Sequence, residues 1–156
     1  MRVVLYSDQP LDKLEEGVKL HFAEVPDKGL AEPDYSKHPA AYDEKNLGYL
    51  FKVVPVMDKD ELEFKWVVPR CFDKAVDTKP DHYLTHLLGH EGPNSLLSKL
   101  QREGFAMELY TYASHSMGAF TVLNCGVRLT KEGLQNYERI IELTYSYLDN
   151  LRKVGP

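Results

Sequence analysis

A chain of 156 residues with 43% hydrophobic and 28% charged residues has the size and composition of one ordinary globular domain. Folding at that length hides roughly 70% of the unfolded surface, so neither disulfides nor a structural metal is required to hold it together. Its 19 Lys and Arg stand against 24 Asp and Glu, a formal charge of -5 with no basic block, which argues against nucleic acid or an anionic membrane as partner.

The chain opens on Arg2-Val3-Val4-Leu5-Tyr6-Ser7, a β-branched run that reads as a strand ended by Ser7-Asp8-Gln9-Pro10. Pro10 suits a first helical turn, and Leu11, Leu14, Val18 and Phe22 recur at helical spacing, predicting a helix to about Val25. Residues 27–46 hold Gly29, Pro33 and Pro39 without periodicity and read as a long surface connection, with no second domain beginning there. Gly48 to Val56 and Glu61 to Val68 both read as strands joined at Met57-Asp58-Lys59-Asp60. The second alternates Leu62, Phe64 and Trp66 with Glu61, Glu63 and Lys65, the period of a sheet with one buried face.

A helix is predicted from about Pro80 to His90, and a second from an Asn94 or Ser95 cap to Arg102, terminated by Gly104. Phe105 to Ala113 and Ala119 to Leu129 read as strands. Thr130 then opens a last helix with a Leu134, Tyr137, Ile141, Tyr145, Leu148, Leu151 stripe. The order implies an α+β two-layer sandwich, a mainly antiparallel sheet packed on one side by helices, spanning residues 1–156 as a single domain. The ends, a strand and a helix terminus, are those of a segment cut at domain borders. Cys71 and Cys125 sit in hydrophobic settings without a Cys-x-x-Cys pair, Cys125 as a small core residue. No signal peptide and no run of about 20 apolar residues is present. A cytoplasmic protein is expected.

The sharpest local pattern is His82-Tyr-Leu-Thr-His86-Leu-Leu-Gly-His90-Glu91, three imidazoles on one helix face. Two histidines four apart match the spacing of zinc peptidases, yet no acid lies between His86 and His90, and Gly92-Pro93 disturbs the helix beyond them. Surface histidines satisfied by hydrogen bonds are the commoner arrangement. No nucleophile sits in a Gly-x-Ser-x-Gly turn, and Gly89-x-x-Gly92 is too sparse for a phosphate loop. Leu109-Tyr110-Thr111-Tyr112 reads as core, or as an exposed edge able to pair with an extended peptide.

The run from Asp81 through Gly92-Pro93-Asn94-Ser95 to Gly104 resembles a segment of the insulinase (pitrilysin-like) metallopeptidase family. The likeness extends to Tyr49-x-Phe51-Lys52-Val53-Val54-Pro55-Val56, to Leu129-Thr130-x-Glu132-Gly133-Leu134, and to Leu151-Arg152-x-x-Gly155-Pro156, and it falls on the second, non-zinc domain of the family's N-terminal half. The resemblance implies a processing-peptidase-like fold and zinc held in the parent by a His-x-x-Glu-His helix. This chain has no such motif, so no cofactor is expected in it, and alone it should be inactive. It further implies a non-catalytic scaffold and an exosite that adds the amino-terminal end of a peptide substrate to a strand edge. Carried over, that exosite falls on His86, Gly89 and Glu91 and on Leu109, Tyr110 and Thr111, although the family strand has glycines where Thr111 and Tyr112 stand. Partners implied are peptide substrates, the remaining domains of the parent and, as an option, a second copy in a homodimer. Two other readings stay open: a structural, processing-peptidase-like subunit domain, and an autonomous metal site at His82, His86 and His90.

Overall fold

The computed structural model describes residues 3–31, 33–35, 42–68, 71–72, 74–116 and 119–155. It divides into two compact units, Met1–Pro33 and Asp34–Pro156. In the first, Pro10 precedes α1 (Leu11–Phe22), which buries none of its residues fully, Leu14, Gly17 and Val18 being half-buried. Its solvated face carries the ion pairs Lys13–Glu16 and Lys19–Glu15. The strand expected at 2–7 does not form over residues 3–7: they are exposed and join no ladder, and a strand without a hydrogen-bonded neighbour has nothing to fix it.

The second unit is built on an antiparallel sheet of β1 (Glu61–Val68), β2 (Ala106–Ser116) and β3 (Phe120–Leu129), with β3 in the centre. Register is set by alternation. Phe64 pairs with Cys125, Leu62 with Val127 and Trp66 with Leu123 on one face, and Leu109 and Thr111 of β2 join that face opposite Val127 and Cys125. A bulge between Ala106 and Glu108 lets both Ala106 and Leu109 point inward although they are three residues apart.

Helices α2 (Pro80–Leu88), α3 (Leu96–Arg102), α4 (Lys131–Gln135) and α5 (Tyr137–Val154) supply the other layer. The core joins Phe64, Leu109, Cys125, Val127 and Leu129 of the sheet to Leu88, Leu96, Leu97, Leu100 and Ile140 of the helices. Each large apolar side chain so buried contributes about 1.5–3 kcal/mol. Ser95 caps α3 by accepting from the Ser98 N–H at 3.1 Å, and Gly104, at φ 75°, ends it in a left-handed turn that a side chain would strain.

Two further expectations are corrected. Residues 48–56 form no strand, since no described neighbour offers them a ladder; Tyr49, Phe51, Val53 and Val54 are all exposed. The last helix is broken at Asn136 (φ -112°, ψ 27°), so α5 starts in a new phase. Ile140 and Thr144 become its fully buried residues, while Leu134 and Tyr145 of the expected stripe are exposed. The Thr144 hydroxyl is satisfied by donating to the Ile140 carbonyl at 2.8 Å.

Candidate functional site

The end of α2 is fastened to the edge strand β2. Its Thr85 carbonyl accepts twice, from the Gly89 N–H at 2.8 Å and from the Thr111 hydroxyl at 2.6 Å. One residue on from the helix, Gly89 (φ -85°, ψ 6°) lies so close to β2 that a Cβ there would stand 2.6 Å from Thr111 Oγ1. From the other side the Tyr147 hydroxyl of α5 donates to the Leu87 carbonyl at 3.0 Å. The last-turn carbonyls of α2 are thus engaged by both strand and helix, which ties the end of α2 and Gly89 to β2 and α5. Glu91, at the tip of that turn, is exposed, and its carboxylate has no hydrogen-bond or ion-pair partner among the described residues.

Leu109, Tyr110 and Thr111 do not converge as side chains. Leu109 is core, at 3% exposure, and Thr111 is engaged with α2. Tyr110 points to the opposite, outer face of the sheet, where its ring lies across Gly126 of β3 and its hydroxyl donates to the Glu61 carboxylate on β1. A Cβ at Gly126 would collide with that ring, so the glycine makes the crossing feasible. The Glu61 bond holds the Tyr110 phenol far above its ordinary pKa. What the three positions share is backbone: β2 is the outer strand of the sheet, and its side away from β3 pairs with no strand among the described residues.

The histidines do different things. His86 and His90 meet edge to face, with ring centroids 5.8 Å apart. His90 curls back so that its Nδ1 accepts from the Gly92 N–H at 3.0 Å, which leaves Nε2 carrying the proton in the neutral ring. His82 is exposed one turn earlier. Among the described residues no group of three or more His, Cys, Asp or Glu side chains is placed to hold a metal ion. A groove of about 760 Å³ lies elsewhere, between residues 46–57 and the outer side of β1, and none of the six exosite positions lines it.

Sequence reasoning missed Asp81 and His115. The Asp81 carboxylate is buried, and it faces His115 Nε2 at 3.3 Å. His115 Nδ1 is 3.1 Å from Thr121 Oγ1, which in turn accepts from the Phe72 N–H at 3.1 Å. Aspartate, histidine and hydroxyl in series resemble a nucleophilic triad, but Thr121 is fully buried and its oxygen is already bonded to an amide. The chain therefore ties the first turn of α2 to the far end of β2 and β3. An Asp in a first helical turn beside a hairpin histidine 34 positions later leaves no pattern in the sequence.

The peptidase M16 inactive-domain model matches residues 1–156. The chain belongs to that family. This inactive domain is 34% identical to insulin-degrading enzyme of Drosophila melanogaster and 36% identical to that of Homo sapiens, each over all of the chain but only 16% and 15% of the relative. Nardilysin of Rattus norvegicus is 30% identical over 160 residues, covering all of the chain and 14% of the relative. The chain thus spans about a sixth of the length of the curated relatives it matches. In fold it is similar to the crystal structure of pitrilysin, with a TM-score of 0.72 at 23% identity over 97% of the chain and 16% of that protein. The insulinase-type resemblance and the α+β class are both correct.

Proposed function

We propose that this inactive domain captures peptide substrates for an insulinase-like zinc metallopeptidase of which it is one part. The observation that carries the reading is the fastening of the α2 end to β2 at Gly89 and Thr111. Two residues beyond that contact comes Glu91, whose carboxylate has no partner among the described residues, and the side of β2 away from β3 pairs with no strand among them. A peptide with a free amino terminus would add to that edge through backbone hydrogen bonds and place its ammonium at Glu91. Among the described residues no His, Cys, Asp or Glu group is placed to hold a metal ion, and on this reading the domain holds the substrate while another part of the parent supplies the zinc.

Anchoring at one end raises the concentration of the scissile segment near the parent's metal, while the isolated domain should bind only in the micromolar to millimolar range, as an order of magnitude. The test is titration of the 156-residue protein with paired free-amine and N-acetylated peptides, followed by NMR. Free-amine peptides should shift resonances of β2 and residues 86–91 and bind more tightly, and Glu91→Gln should remove that preference. Equal binding of the two forms, or shifts confined elsewhere, would reject capture and leave the turn a structural feature.

A further inference from the structure

We propose that the outer row of β2, Glu108, Tyr110 and Tyr112, is a subsite that selects arginine or lysine as the second residue of the captured peptide; this rests on the capture reading above. Residues directly opposite one another across a ladder point to the same face of the sheet. A peptide paired with β2 whose first residue lies level with Thr111, the residue on which Gly89 packs, directs that side chain to the helix face. Its second side chain then falls on the outer face, beside Tyr110 or Tyr112 according to the direction in which it runs.

That row has a definite chemistry. The Tyr110 and Tyr112 rings are stacked at 6.3 Å and 16°, and both are exposed, at 36% and 47%. Tyr110 is pinned flat by its bond to Glu61, so the pair is a formed platform rather than two free rotors. Glu108 next to it has a side chain 61% exposed and only a loose contact, 3.6 Å, with Arg128 of the central strand. β2 itself holds no Lys or Arg; Lys65 of β1, level with Tyr112 across Asn124 and within electrostatic reach of its hydroxyl, is paired with Glu63 at 3.0 Å. An edge of one acid and two ring faces favours a cation, whose stem lies on the rings while its head meets the carboxylate, and it repels an acidic side chain.

The 156-residue protein is titrated with free-amine peptides identical except for Arg, Lys, Leu or Glu at the second position, together with the N-acetylated Arg peptide. The Arg peptide should bind roughly two- to five-fold more tightly than the Leu peptide, the scale of an exposed cation–π contact, and the Glu peptide most weakly. Tyr112→Leu should erase the Arg advantage and keep the preference for a free amine, and Glu108→Gln should narrow the gap between Arg and Glu peptides. Equal affinity for Arg and Leu with the amine preference intact overturns the subsite and leaves capture standing. Loss of the amine preference overturns capture, and the subsite with it.

Discussion

Replacing Gly89 by alanine tests the joint on which the site depends. The new methyl would stand 2.6 Å from Thr111 Oγ1 and 3.0 Å from the Thr85 carbonyl, the first about 0.8 Å inside ordinary contact. The backbone at Gly89 is in a region any residue adopts, so the cost arises from crowding alone. Thr111 can rotate its hydroxyl away only by giving up its bond to Thr85, about 1 kcal/mol, and the carbonyl must also give. A loss of roughly 1–3 kcal/mol follows, or about 2–12 °C in Tm for a chain of this size. Thr111→Ala alone should cost about 1 kcal/mol and, by removing the colliding oxygen, should make the second substitution cheaper by a similar amount. Urea unfolding of the two single variants and the double variant measures this coupling. Costs that add within about 0.3 kcal/mol would mean that turn and strand are not in contact as described, and the capture site would lose its frame.

Gly133→Ala should be the most damaging glycine substitution, since its Cβ would lie 1.9 Å from the Phe105 carbonyl oxygen, a backbone atom; a loss above about 3 kcal/mol is expected in the same assay. Gly17→Ala in α1 meets open space and should be neutral or stabilising by up to about 1 kcal/mol. Burial acts to raise the Glu61 carboxyl, but bonds from Lys59 and Tyr110 and the charges of Lys59 and Arg128 outweigh it and hold it below 4.5. Its contribution is therefore present above pH 4.5 and lost as pH falls through the depressed value, so Glu61→Gln should flatten the acid limb of a stability–pH profile. Burial pushes the Cys125 thiol up to about 12, so a thiol reagent should label Cys71 in the native state and reach Cys125 only on unfolding. Keeping that thiol neutral costs nothing below its ordinary value of 9, and stability should decline as pH rises from 9 towards 12.

What could be read without the structure followed from local periodicity and caps. The alternation in β1, the Ser95 cap, Gly104 and the buried Cys125 each report an environment that a few neighbouring residues dictate. Residues 48–56 misled because β-branched and aromatic content signals fitness for a strand, whereas a ladder also needs a partner. The single helix inferred after Thr130 failed at one residue, Asn136, whose backbone turn resets the phase of everything after it. At the site, the family resemblance indicated positions 109–111 as a strand edge, and the period of two means that these three residues share backbone there while their side chains alternate between faces. The Tyr110 crossing to Glu61 and the pairing of Asp81 with His115 span 49 and 34 positions, distances over which spacing carries no signal.

The outer side of β2, which pairs with no strand among the described residues, offers the edge of another copy an 11-residue template, and long flat edges of that kind tend to propagate into fibrils. The bulge at Met107 interrupts β2 near its start, and the Met107 carbonyl is already occupied by the Gln101 side-chain amide at 3.2 Å. An incoming strand therefore has an unbroken run only beyond Glu108, with a charge at the point where it would have to begin. The irregularity shortens the long, flat register that runaway association between copies needs.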